Sequence, residues 1–311
     1  MVIDRLDRAG RARLETAVRA GEPVRLGARA LASAPVYVHA DEIAPLCHAV
    51  DTAAAAPWLP PRARPRGDLF VSVVVPTHRR APIGLLALEA QDVRTERIVL
   101  ANGAYTDGVR VPWRGHGETR NEGVRLARAP YVLFTVDDAL PLGAGFLRTL
   151  VEALEDGGYD AVTARQVPWP TSGAVTRARL RAWTPPPRAD GTSPALAAPL
   201  LDNVAALYRR DALLADPFDA VDIAEDWLWG RRHPVGYVAA APVAHAHVRR
   251  FGELYARTRA IHRLRAREGE APTVAGPRQL LRALPGVVGA DAPGALGELL
   301  GQWVGGREGR R

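Results

Sequence analysis

Two kinds of apolar spacing divide the chain. Residues 4–20 set apolar side chains at helical intervals among Arg, Asp and Glu, and Ala34–Val50 (APVYVHADEIAPLCHAV) reads as a strand followed by a helix capped by Asp41. A connector rich in Pro and Arg, Ala56–Gly67 (APWLPPRARPRG), then breaks all periodicity, because proline lacks an amide donor and fixes its own backbone. From Leu69 onward short unbroken apolar runs alternate with helical spacing. Val71–Thr77, Arg97–Gly103 and Tyr131–Thr135 read as strands; Leu85–Ala90 and Glu118–Ala129 read as helices. A helix over Gly143–Glu155 and a strand near Ala161–Val167 continue the pattern. Runs of Val and Leu without polar interruption suit strands covered on both faces, and this alternation predicts right-handed crossovers and a mostly parallel sheet.

Between Pro168 and Pro199 the chain turns Pro-, Arg- and Ser-rich, which predicts a long loop, either on the substrate side of the domain or a disordered insertion. Regularity returns with Leu201–Leu207, a helix opening near Arg210, the segment Ile223–Arg232 (IAEDWLWGRR), a strand-like stretch from Gly236 to Val248, and a basic amphipathic helix over Phe251–Arg267. No internal repeat is present. Three regions result: an α/β or helical N-terminal extension over 1–66, an α/β domain over 67–270 and a helical tail over 271–311.

With 311 residues the chain has ample length to bury the core this pattern implies. It contains no lysine, so all 41 basic residues are Arg, and Ala is abundant, as GC-rich bacterial coding produces. The net charge of +7 allows a polyanionic partner. The arginines, however, are interleaved with acids except between His247 and Arg267, where Phe251 and Tyr255 supply few aromatics for stacking bases, so nucleic acid is not the expected partner. Cys47 is the single cysteine, which excludes an intrachain disulfide and a cysteine-cluster zinc site and fits a reducing compartment. The amino terminus is charged throughout, without the apolar segment of a signal peptide, and no apolar stretch reaches the roughly 18 residues of a membrane span. A soluble cytoplasmic protein is expected, with the Gly- and Leu-rich tail from Leu280 to Val304 suited to peripheral membrane contact.

Chemistry concentrates in three places. Tyr131–Pro141 (YVLFTVDDALP) is an apolar strand ending in two carboxylates, Asp137 and Asp138, at the strand edge where open α/β sheets bind ligands. Hard oxygen ligands there suit Mg2+ or Mn2+ shared with a phosphate. Glu225 and Asp226 form a second acidic pair beside Trp227 and Trp229, and His245 and His247 follow the last strand-like stretch.

The segments VSVVVPTHRR, IVLANGAYTDG, TRNEGVRLA, FTVDDALP, DNVAALYRRDAL, AEDWLWGRR and VAHAH occur in one order over Ser72–Arg267. Together they resemble the family 2 glycosyltransferases of the type A glycosyltransferase fold, whose Rossmann-like, mostly parallel central sheet is flanked by helices. The resemblance implies a metal-dependent, inverting transfer of one sugar from a UDP-, dTDP- or GDP-linked donor to a hydroxyl acceptor. It implies that Asp138 holds Mn2+ or Mg2+, that Asp137 faces the ribose or the metal, and that His245 completes the metal or diphosphate site. Asp226 would be the base that takes the acceptor proton, with Glu225 binding the acceptor or orienting the site, and the tryptophans would offer faces for sugar rings. Pro76, Thr77 and His78 would line the nucleotide pocket and Asn102 and Asp107 its second turn. Arg120 and Asn121 resemble the family's Arg-Asn pair, Arg120 contacting the diphosphate or orienting the metal-binding carboxylates.

Two positions depart from that pattern. Ala101 stands where an acidic residue commonly grips the base or ribose, and Val136 where many members have a third acid. No Gln-x-x-Arg-Trp segment of a processive synthase is present. The competing readings are a non-catalytic sugar-nucleotide-binding member, motivated by Ala101, and a sugar nucleotidyltransferase, whose Gly-rich triphosphate signature is not matched by PTHRRAPIG. For residues 1–66, homodimerisation and acceptor docking are both open roles.

Overall fold

The computed structural model describes residues 2–3, 25–26, 67–77, 85, 88, 91–102, 108–168, 174–196, 198–245, 251–271, 274, 278–279 and 292–310. The expectations for 4–20 and 34–50, and the connector up to residue 66, lie outside them. The chain forms two compact units, Met1–Thr171 with Thr184–His245, and Ser172–Trp183 with Ala246–Arg311.

In the first unit β1 (Val2–Ile3) pairs in parallel with β2 (Arg25–Leu26). The main sheet has eight strands: β3 (Phe70–Thr77), β4 (Arg94–Ala101), β5 (Val109–Arg110), β6 (Tyr131–Thr135), β7 (Leu140–Pro141), β8 (Ala161–Val167), β9 (Ala205–Arg209) and β10 (Val235–Ala244), in the order β5-β4-β3-β6-β9-β8-β10-β7. Parallel ladders join β5 to β4, β4 to β3, β3 to β6 and β8 to β10. β9 runs against both its neighbours, β6 and β8, and β7 runs against β10. Six strands therefore point one way and two the other, the mostly parallel sheet that the alternation predicts.

The unbroken apolar runs are explained by cover on both faces. Val71, Val73, Val75 and Leu133 pack on one side with Phe146, Leu147, Leu150 and Leu154, which come from a helix over Phe146–Asp156. Val74, Val132 and Phe134 pack on the other with Val124, Leu213 and Trp229. These come from α1 (His116–Leu126), α4 (Arg210–Ala215) and α5 (Glu225–Gly230), the Phe146–Asp156 helix being α2 and Ala174–Trp183 α3. Residues of alternate parity along one strand thus reach opposite helical layers.

The expectation of a long loop over 168–199 is corrected: Ala174–Trp183 is helical. Prolines at 168, 170 and 185–187 flank that segment without entering it, so the proline-rich average of the window concealed a helix whose own residues carry no breaker. In the second unit α6 (Phe251–Arg267) has the bounds its apolar spacing predicts, and α7 (Ala292–Glu308) packs on it. Gly297, Gly301, Gly305 and Gly309 recur every four residues along the contact. A Cβ on them would come to 2.4 Å from Phe251 O, 2.7 Å from Tyr255 O, 2.2 Å from Arg259 O and 2.2 Å from Arg263 O. The glycine content of this tail therefore serves backbone-to-backbone packing, and no described helix is long and apolar enough to cross a membrane.

Candidate active site

The strand directions bring the candidate residues to one rim. β3, β4, β6, β8 and β10 all end there, and Thr77, Asn102, Asp137, Asp138, Gln166 and His245 lie at or just past those ends. β9, reversed, begins at the same rim, so Asp202 and Asn203 stand at its entrance. Val136 N–H and the Thr135 hydroxyl both donate to Val204 O, at 3.2 and 2.9 Å, tying the loop that carries Asp137 to that entrance.

On one side of the rim Asp137 and Asp138 are buried, and Asp137 accepts a 2.8 Å hydrogen bond from the Thr77 hydroxyl. His245 Nε2 lies 3.6 Å from Asp138 Oδ1, and His245 Nδ1 lies 3.0 Å from Gln166 Oε1. The Gln166 amide is oriented by its other end, whose nitrogen donates to Asp202 Oδ2 at 3.0 Å. Its oxygen must then face His245 and accept from Nδ1–H, which leaves the Nε2 of a neutral ring as an acceptor on the Asp138 side. Among the described residues no group of three His, Cys, Asp or Glu side chains is gathered to hold a metal alone. Two protein donors fit Mg2+ or Mn2+ all the same, because such ions commonly take their remaining ligands from water and substrate phosphates.

On the other side Arg120 and Glu225, both buried, form an ion pair at 2.8 Å. Asn203 binds the acidic pair twice: its side-chain amide donates to Glu225 Oε1 and its backbone N–H to Asp226 Oδ2, each at 2.9 Å. The Tyr208 hydroxyl donates to Asn203 Oδ1 at 2.7 Å and orients that amide. Burial works to raise the Glu225 carboxyl, but the Arg120 guanidinium and the Asn203 amide hold it below its ordinary range. Asp226 goes the other way. Burial, then the negative charges of Glu225 and Asp202, push it up to about 7 against the Asn203 N–H. Adjacent carboxylates driven apart in this manner take different chemical roles, one a fixed charge and one a group that exchanges a proton near neutral pH. Ala224, just before them, has φ 64°, the one positive φ of a non-glycine residue among those described, so the acidic turn opens from a strained backbone.

The other sequence-assigned residues fall as follows. Pro76 lies in β3, and Asn102 N–H donates to Thr77 O at 3.0 Å beside the end of that strand. Ala101 is buried opposite Thr77, so no acid stands at that position. Asn121 Nδ2 donates to Phe218 O at 2.9 Å and Asn121 Oδ1 accepts from Phe218 N at 3.0 Å, fastening the loop before α5. Trp229 cannot serve as a sugar platform: it is 0% exposed, its Nε1 donates to Asp216 O at 2.7 Å, and it is stacked on His233 at 3.7 Å. His78, Asp107, His247, Arg249 and Arg250 lie outside the described residues. Sequence reasoning missed Gln166 as a site residue, although a glutamine inside an apolar strand is itself a signal. Asn203 lay unremarked within DNVAALYRRDAL.

Residues 108–215 match a family model described as glycosyl transferase family 2. No curated protein sequence matches the chain. Among solved structures, a mannosyltransferase from Pyrobaculum calidifontis, in complex with GDP-Man and Mn2+, is 20% identical over 75% of this chain and 74% of its own, with a TM-score of 0.48. TarS residues 1–349 from S. aureus, with UDP-GlcNAc, is 15% identical over 62% of this chain and 66% of its own, at 0.43. Glucosyl-3-phosphoglycerate synthase from Mycobacterium tuberculosis, with phosphoglyceric acid, is 23% identical over 73% and 85%, at 0.45.

Proposed function

We propose, from the premise that this chain carries a glycosyl transferase family 2 domain over residues 108–215, that it moves a single sugar from a nucleotide-diphosphate donor to a hydroxyl acceptor. The transfer depends on a divalent cation and inverts the anomeric centre. The observation that carries this reading is Asp226, a carboxylate pushed up to about 7 on the same rim as Asp138 and His245.

Asp226 is poised to take the proton of the acceptor hydroxyl near neutral pH. The hydroxyl oxygen forms its bond to the anomeric carbon as that carbon's bond to the β-phosphate oxygen breaks, and the nucleoside diphosphate departs from the opposite face. Glu225 remains ionised against Arg120, and its standing charge keeps the proton affinity of Asp226 high. Asn203 holds both carboxylates in place. Asp138 and His245 would hold Mn2+ or Mg2+, which when bound offsets the charge growing on the leaving diphosphate. Thr77 fixes Asp137 beside them.

Release of nucleoside diphosphate from a panel of UDP-, GDP- and dTDP-sugars with Mn2+ or Mg2+ tests the reading. Turnover is expected with at least one donor, abolished by chelation and by Asp138→Ala, and sugar transfer is expected to be lost in Asp226→Asn. Undiminished turnover in both variants removes the mechanism.

A further inference from the structure

With Trp229 in the core and Trp227 half-buried beneath Arg231, whose guanidinium carbon lies 4.8 Å from its ring, the exposed aromatic near the acidic pair is Trp113, at 53%. Edge strand β5 runs parallel to β4 and ends at the site rim; Val111 N–H extends the ladder by donating to Ala101 O at 3.1 Å. The segment after it is pinned. Gly115 has φ 93°, and a Cβ there would touch Val221 O at 3.0 Å; Gly117 lies so close to Asp219 O that a Cβ would reach 1.9 Å. The same added Cβ on Gly117 would lie 3.5 Å from Glu225 Cβ.

Side chains make the same connection. The Trp113 and His116 rings meet edge to face with centroids 4.9 Å apart. His116 Nδ1 lies 3.2 Å from Arg120 Nη1, and Arg120 pairs with Glu225. An edge-to-face contact covers at most one face of the indole, so a broad apolar face stays open on a fixed support. Tryptophan is enriched among the residues that carry most of the energy at binding surfaces.

We propose that Trp113 is the platform of an acceptor subsite and that its occupant is a saccharide ring, which makes the acceptor itself a glycoside. The inference rests on the transferase reading above. A pyranose presents an apolar C–H face to an indole and hydroxyls around its rim, and the segment around Trp113 offers both kinds of surface: Val109 and Pro112 are exposed, and so are Arg110 and Arg114, with His116 part-exposed. A lipid chain would need a contiguous apolar surface, and here the exposed Arg110 and Arg114 interrupt Val109, Pro112 and Trp113.

Saturation-transfer NMR on the full chain, with methyl glucoside, methyl mannoside and methyl galactoside as probes, tests the platform without catalysis. At least one probe is expected to receive saturation through its ring protons. Trp113→Ala should weaken that binding about tenfold and Trp113→Phe restore part of it, as stacking predicts. Calorimetry of UDP and GDP with Mn2+ on the same proteins should show nucleotide affinity unchanged by Trp113→Ala. A probe set that binds nowhere, or binding that survives Trp113→Ala, overturns the platform. Glycoside binding that depends on Trp113 in a chain that binds no nucleoside diphosphate upholds the platform and removes the transferase reading instead.

Discussion

Arg120 and Glu225 face each other at 2.8 Å with 6% and 4% of their side chains open to solvent. Neither has water to fall back on, and the guanidinium holds the Glu225 carboxyl in its charged form against burial. Arg120→Leu leaves the Glu225 carboxylate buried and without its main counter-charge, and should cost about 3–5 kcal/mol in denaturant unfolding. A loss below about 1 kcal/mol, the range of an exposed pair, would show that Glu225 does not depend on this partner.

The pH dependence follows from Asp226. As a base it must be ionised, so kcat/KM should rise with pH and level off above about 7, the value to which burial and neighbouring charge push it. Stability should move oppositely. The folded state holds this proton more tightly than the unfolded chain, so the contribution is full below about pH 4 and is lost as pH rises through about 7. Melting temperature followed over that window should carry a descending component that is missing in Asp226→Asn. Identical profiles for the two proteins would place its titration elsewhere.

Gln166 sets which imidazole nitrogen of His245 faces Asp138. Gln166→Leu should therefore weaken Mn2+-dependent binding of UDP or GDP by about 10- to 100-fold, the usual penalty for removing a partner of a metal-binding histidine. Binding without metal should change little. Calorimetry with and without Mn2+ separates the two, and an equal loss in both conditions would point to a collapsed pocket.

At Gly305 an added Cβ would meet Arg259 O at 2.2 Å. Gly305→Ala should force α6 and α7 apart and lower stability by about 1–3 kcal/mol, although alanine favours an isolated helix. Scanning calorimetry would read this as a lower melting temperature, and an unchanged or higher one would mean the two helices do not approach so closely.

Much of this was legible in the sequence because local pattern sufficed. The runs at Val71–Thr77 and Tyr131–Thr135, and the spacing from Phe251 to Arg267, give elements with nearly the bounds observed. Asp137 and Asp138 could be singled out as acids closing an apolar strand, and Glu225, Asp226 and His245 through the ordered motifs that resemble the family 2 glycosyltransferases. What stayed hidden depends on partners far along the chain. Ala205–Arg209 has the composition of any buried strand, and nothing in AALYR states that it runs backwards. Trp227 and Trp229 look alike on paper, yet only Trp229 meets Phe218, Tyr208 and His233. The engagement of Arg120 with Glu225 spans 105 positions by subtraction of their numbers, beyond the reach of any periodicity.

The reversed strand β9 has a bearing on how this rim can change over time. Neighbouring strands finish there and hand their chemistry to side chains, each replaceable by a single codon. Of the two reversed strands, β9 opens on a main-chain amide, Asn203 N–H, which grips Asp226 whatever residue other than proline occupies position 203. Substitutions at this entrance can retune the proton affinity of the carboxylate, but its anchorage belongs to the backbone and is inherited with the topology.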